Sequence, residues 1–263
     1  MLGKLLKHEL RSTSRIMGPL YVVLLVLSVF SNLSIRLFDA SDSILLDILG
    51  GLIIAAFVIA VLAACIMSFV LMINRFRTNL MSSEGYLMFS LPVSVHQLVW
   101  SKIIASVIWF AATFLAVLLS GLIISFRAEY ITDFFSLARE LFRSLTAYYT
   151  INGAAFIIEG LVLIFLVSAS ICLLFYASMA VGHSFANRKT LMSVVFFFVF
   201  QFVTQIVGTL SAWGAGSLNL DWNIEPFAAV HAAMGVAIVC SLIYGAVFYT
   251  LTTYFLKKHL NLD

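Results

Sequence analysis

Six apolar runs dominate this sequence: residues 16–35, 48–73, 103–126, 153–182, 191–212 and 228–256. A helix rises 1.5 Å per residue, so about 20 residues cross a hydrocarbon core of about 30 Å. Every run is long enough to do so as a helix. The second, fourth and sixth are longer than a span needs and must tilt, kink or protrude. The chain as a whole is 63% hydrophobic and 10% charged, with mean hydropathy +1.10. Soluble domains carry about 25% charged residues. A chain this apolar cannot cover a water-facing surface, so lipid must solvate it. The reading is an all-α membrane protein of six transmembrane helices, forming one transmembrane domain over residues 1–263.

The start, MLGKLLKHELRSTSR, is basic and leads into the first run. That order suits a secretory signal. The run is span-length, however, and no A-x-A cleavage pattern follows it, so it reads as a retained first helix. Residues 1–15 form a short amphipathic helix of their own. Leu2, Leu5, Leu6 and Leu10 share one face, and Lys4, Lys7, His8 and Arg11 share the other. Such a helix lies on an anionic leaflet, with or without a protein partner touching it.

Orientation follows from Lys and Arg. With the N-terminus inside, the inner segments hold Lys4, Lys7, Arg11, Arg15, Arg75, Arg77, Lys102, Arg188, Lys189, Lys257 and Lys258, eleven of the 15 basic residues. Arg36, Arg127, Arg139 and Arg143 fall outside. Both termini are therefore expected in the cytoplasm. The outer loop after the third span repeats apolar residues at helical spacing from Phe134 to Leu145. An interfacial helix over residues 132–147 is expected there, closed by Tyr148 and Tyr149. In the last outer loop Gly214 and Gly216 are expected to break the fifth span, and the loop either dips back into the membrane or does not.

In lipid, apolar burial does not bring helices together; close packing of small residues does much of it. Small residues recur every fourth position at Ala56, Ala60, Ala64 and Ser68, at Ala112, Ala116 and Ser120, and at Ala229, Ala233, Ala237, Ser241 and Gly245. These stripes should face other helices. Polar residues at depth are few. Glu159 is either a gate or substrate contact, or a near-interface residue bonded to a neighbour. Gln201 and Gln205 lie one turn apart on one face with Thr209 below. They either line a pathway or join helices by hydrogen bonds. Cys65, Cys172 and Cys240 sit singly in apolar runs and read as small buried residues, not a disulfide framework. His96, His183, His231 and His259 are scattered without partners at metal spacing and read as interfacial. No G-x-x-x-x-G-K-[ST], H-E-x-x-H or G-x-S-x-G motif occurs. The chain therefore holds no P-loop, and no catalytic residue or metal ligand is assigned.

The segment from Asn74 to Lys102 is the basic, polar exception between spans. Asn74–Leu80 should extend the second helix beyond the membrane. Ser82, Ser83, Glu84 and Gly85 read as a helix stop and turn. Tyr86–Leu91 is an apolar strip outside the core, which needs a partner surface or the bilayer to cover it. Pro92 ends it, and Ser94 with Gln97 forms a capping box for a new short helix, Val95–Trp100.

Here the sequence resembles the permease subunits of ABC-2 type ATP-binding-cassette transporters, in the small six-helix form common in Gram-positive bacteria. The resemblance is carried by Ser83, Glu84, Gly85, Tyr86, Leu87, Met88, Phe89, Ser90, Leu91, Pro92, Val93 and Ser94, followed by Leu98 and the Ser101–Lys102 entry to the third span. It implies an ABC-2, type V exporter-like fold in a bacterial plasma membrane. It also implies a second permease chain, identical or related, and two copies of a separate ATPase subunit that binds the ATP and Mg. The loop 74–102 would supply the coupling helix, with Ser83, Glu84, Gly85, Tyr86, Leu87, Phe89, Leu91 and Pro92 as contact or positioning residues. Leu2, Lys4, Leu5, Lys7, His8 and Arg11 would belong to a connecting helix. Glu159, Gln201 and Gln205 are the candidate pathway residues. Membrane lipids are expected partners and nucleic acid is not. The Phe-rich fifth span suits a hydrophobic or amphipathic peptide, or a lipid-like compound, as cargo. The alternative function is a non-transporting sensor or immunity subunit that docks a partner through the same loop.

Overall fold

The computed structural model describes residues 2–38, 44–90, 92–125, 136–137, 139–140, 143–144, 153–185, 188–217 and 226–258. Seven helices carry nearly all of them: α1 (Leu2–Phe38), α2 (Ile44–Met81), α3 (Ser83–Ser90), α4 (Val95–Ile124), α5 (Gly153–Gly182), α6 (Lys189–Ser217) and α7 (Pro226–Lys258). All except α3 are long and apolar enough to cross a membrane, as a multi-pass membrane protein requires. At most 22% of the most apolar 18 residues of each such helix is buried inside the chain. Most of the Leu, Ile, Val and Phe surface therefore points outward, where only lipid or another apolar surface can cover it.

Four expectations about helix ends need correction. The amphipathic segment 1–15 is not a separate helix, because α1 runs from Leu2 to Phe38 without a break and carries Pro19 inside it. No residue before Pro19 forces an end, and proline costs one backbone hydrogen bond where lipid-facing packing can still hold the helix. Its faces are as expected: Lys4, Lys7, His8 and Arg11 are exposed, and Leu2, Leu5, Leu6 and Leu10 less so. Glu9 is buried on the apolar face, 4% exposed. The stop in the central loop falls at Ser82 alone, and Glu84 and Gly85 lie inside α3. The short helix expected at Val95–Trp100 is the first turns of the 30-residue α4. Ser101 does not interrupt it, because its hydroxyl donates back to the Leu98 carbonyl at 2.7 Å. Finally, α6 continues through Gly214 and Gly216 to Ser217; glycine lowers helix propensity by only about 1 kcal/mol.

Of the expected outer helix 132–147, the described residues 136–137, 139–140 and 143–144 are helical. The remainder, with Tyr148 and Tyr149 and most of the last outer loop, lies outside the described residues. Of the cysteines only Cys172 is buried; Cys65 and Cys240 are exposed on apolar helix faces, which lipid tolerates as readily as a core does.

The chain forms two compact units. One consists of Gly3–Met72 and Ile104–Arg143. Its centre is Leu24, Ala64 and Ala116, with Leu20, Tyr21, Phe57, Ala60 and Val61 packed around them. The stripes Ala56–Ala60–Ala64–Ser68 and Ala112–Ala116–Ser120 are the less exposed faces of α2 and α4. Two polar links join its helices. The Tyr21 hydroxyl is hydrogen-bonded to Thr113 Oγ1 at 2.7 Å, beside the Trp109 carbonyl that Thr113 reaches at 2.8 Å and Tyr21 at 3.4 Å. Asn32 donates to the Ile124 carbonyl at 2.6 Å, which satisfies an orphan acceptor at the end of α4.

The other unit consists of Met1–Leu2, Ile73–Ile103 and Ser144–Asp263. In it α5 packs against both α6 and α7. Small residues make the closest approaches. Ser170 donates to the Ser241 carbonyl at 2.9 Å, and a Cβ on Gly245 would lie 3.2 Å from Ser170 Oγ. Gly182 is tighter still: a Cβ there would overlap the backbone of Ser193. Gly182→Ala should therefore force α5 and α6 apart and destabilise the chain by about 1–3 kcal/mol. Gly121→Ala, with no atom near its Cβ position, should be neutral. Thermal unfolding of both variants in detergent measures this, and equal midpoints would refute the close approach.

Candidate functional site

The feature outside the six long helices is the joint formed by the end of α2, α3 and the start of α4. The extension of α2 is anchored by Phe76, which stacks on Tyr176 of α5 with ring centroids 3.9 Å apart and planes 6° from parallel. Both rings are fully buried. The chain then bends at Ser82, whose hydroxyl bonds to the Thr78 carbonyl. The Gly85 amide donates to the Ser82 carbonyl at 2.8 Å and opens α3.

The far side of the joint is anchored too. Ser94 caps α4: its Oγ accepts from the Gln97 amide at 3.3 Å, and its carbonyl accepts from Gln97 and Leu98. The serine half of the expected capping box is present. In the first turn of α4, His96 meets the last turns of α7. Lys257 Nζ lies 3.0 Å from His96 Nε2, and an ammonium can only donate. Nε2 therefore accepts, Nδ1 carries the proton, and Nδ1–H donates to the Tyr249 hydroxyl at 2.7 Å. Trp100 packs on the same tyrosine at 5.9 Å between centroids. Reading His96 as a plain interfacial residue missed this link. Its partners lie more than 150 positions away, beyond the reach of local spacing.

Between the anchors, α3 presents Glu84, Tyr86 and Leu87 outward, with Tyr86 57% and Leu87 72% exposed. Gly85 is buried and Phe89 half-buried. Pro92 is exposed, Leu91 lies outside the described residues, and Ser83 opens α3. An eight-residue helix held at both ends and bare on one apolar face suits the docking of a partner surface.

Within the long helices the candidate pathway residues separate. Glu159 is paired: its Oε2 lies 2.6 Å from Nδ1 of His231 on α7. Both side chains are partly covered, 31% and 22% exposed. Glu159 thus has the bonded neighbour that one of its two readings expects, and His231, read as a plain interfacial residue, is that neighbour. The pair was detectable in the sequence, since no other Asp, Glu, Lys, Arg or His falls in the six apolar runs. Gln201 and Gln205 are both exposed on α6. The carbonyls of both are held within α6, by Thr204 at 2.8 Å and Thr209 at 2.8 Å.

Two clefts flank these helices. One, of about 230 Å³, is lined almost wholly by apolar groups of α4, α5 and α7, including Trp100, Phe165, Leu173 and Tyr249. The other, of about 200 Å³, combines Arg77, His183 and Ser193 with Phe175 and Phe197. His183 Nδ1 lies 2.9 Å from the Met179 carbonyl. Burial, and then the nearby Lys189 and Arg77 charges, push the His183 pKa below its ordinary value against that bond. Among the described residues no three His, Cys, Asp or Glu side chains group as a metal site. Comparison of the chain with family models, curated proteins and solved structures finds no match.

Two outcomes follow from the polar groups. A double-mutant cycle of Glu159→Gln and His231→Gln should give a coupling energy of about 1 kcal/mol in detergent unfolding, the range of hydrogen bonds between membrane helices; a coupling of zero would refute the pair. His183 resists protonation when folded, so its contribution is complete above pH 6.5, its ordinary pKa. It is lost as pH falls below that, because the unfolded chain takes up the proton first. His183→Gln should flatten the fall in melting temperature on the acid side, and an unchanged profile would count against it.

Proposed function

We propose that this chain is the permease subunit of an ATP-binding-cassette exporter of the ABC-2 type. Two permease chains would form the pathway, and two copies of a separate ATPase subunit, carrying ATP and Mg, would drive it. The observation that carries this reading is α3: a short helix outside the six span-length helices, bare at Tyr86 and Leu87, and anchored to α5 and α7 through Phe76 and His96. A push on α3 would pass through stacked rings and a hydrogen-bonded imidazole into two long helices. A flexible loop would absorb the same push. The Lys and Arg asymmetry supports the cytoplasmic side for α3, where ATP is. The absence of a P-loop in these 263 residues supports an ATPase on another chain. The cargo we propose is a hydrophobic or amphipathic peptide or a lipid-like compound, in keeping with the apolar lining of the larger cleft and with Phe198 and Phe202 exposed on α6.

The test is co-purification with the ATPase encoded nearest to this chain, followed by ATP turnover in lipid vesicles. Tyr86→Ala combined with Leu87→Ala should weaken the complex about 30-fold, as loss of an anchor worth 2 kcal/mol does. His96→Ala should leave the complex intact and lower its turnover. Unchanged assembly and turnover in all variants would defeat the coupling role. A stable complex whose wild-type form never turns over ATP would favour a non-transporting docking subunit.

A further inference from the structure

The smaller cleft carries positive charge with no acidic side chain on its lining among the described residues. Arg77, from the extended end of α2, lies on its lining together with His183, Ser178, Thr190 and Ser193. Among the described residues no carboxylate pairs with Arg77, and no Asp or Glu lines the cleft. One further cation lies near it. Lys189 is close enough to depress the His183 pKa together with Arg77. Arg188, exposed and at φ 56° in the left-handed region, immediately precedes it. Residues other than glycine adopt that region at a cost.

The rest of the lining is apolar. Phe175 of α5 and Phe197 of α6 stack with centroids 4.7 Å apart, and Ile73, Met179 and Val194 complete that part. Val194 is 52% exposed on α6, a helix apolar enough to span a membrane. One cleft thus joins a cationic, hydroxyl-bearing part to an aromatic one, at the ends of long apolar helices. A free inorganic anion would satisfy the first part and leave the second uncovered. A zwitterionic lipid would cover the second and leave the charge unbalanced.

We propose that this cleft binds one anionic phospholipid, with its phosphate held by Arg77 and the exposed Thr190 hydroxyl and an acyl chain lying along Phe175, Val194 and Phe197. Basic pockets between membrane helices recognise anionic headgroups by this combination of charge and apolar contact. The inference does not depend on what the protein transports, or on whether it transports at all.

Native mass spectrometry of the detergent-purified full chain tests it, with added dioleoyl phosphatidylglycerol or dioleoyl phosphatidylcholine. The wild type should retain one phosphatidylglycerol in preference to phosphatidylcholine, and Arg77→Gln should cut that retention about fivefold. Arg77 is exposed, so the substitution leaves packing intact. Val194→Trp fills the apolar part without touching a charge and should also cut retention. Lys258→Gln, a cation that sits over the Tyr254 ring, should not. Equal retention of the two lipids would overturn the proposal, as would an Arg77→Gln or Val194→Trp variant that binds like wild type. So would a loss shared by Lys258→Gln, which would mean unspecific attraction, or displacement of phosphatidylglycerol by inorganic phosphate, which would mean a free-anion site.

Discussion

Lipid solvates a leucine as well as a protein interior does, so burying apolar side chains supplies little drive for membrane helices to associate. Contact must come from close packing and from polar groups that hydrocarbon cannot satisfy. Both units of this chain are built on that constraint. One closes around Ala64 and Ala116 beside Leu24. The other closes where Gly182 meets Ser193, and where Gly245 admits Ser170 close enough to reach the Ser241 carbonyl. Large apolar side chains are left to face outward. The pattern inverts that of a soluble domain, with small residues at the helix contacts and Leu, Val and Phe on the surface.

The same constraint explains where polar side chains appear. A carboxylate within an apolar helix is costly unless paired, and Glu159 has His231. The Tyr21–Thr113 and Asn32–Ile124 links likewise bind α1 to α4 at points where hydrocarbon offers no competing partner. Each of these bonds joins helices that are distant in sequence. Polar residues at depth therefore select which helices meet, while the small residues decide how closely they do so.

Outside the long helices a different logic operates. The segment from Ser82 to Ser94 turns the chain twice within thirteen residues and is gripped on both sides by aromatic contacts. The Phe76–Tyr176 stack fixes the end of α2, and the His96–Tyr249–Lys257 chain fixes the start of α4. Between these anchors Tyr86 and Leu87 of α3 stay exposed to solvent. An exposed apolar strip on a restrained helix is a poor design for a linker and a good one for a docking element.

The six span-length helices, the small-residue stripes of α2 and α4 and the Ser94 cap were legible in the sequence. Each depends on periodicity or spacing within about thirty residues, and the membrane's thickness sets the scale. Helix ends were less legible. Gly214, Gly216 and the Ser83–Gly85 turn signal lost to helix continuity, since local breaker propensities of about 1 kcal/mol yield to the hydrogen bonding of a longer helix. What only the tertiary structure decided is which distant residues meet. Glu159 finds His231, His96 finds Tyr249 and Lys257, and Arg77 comes to share a cleft with His183, while Gln201 and Gln205 are left facing outward. Sequence spacing determines the face of a helix on which a residue lies. Only the packing of one helix against another determines what that face meets.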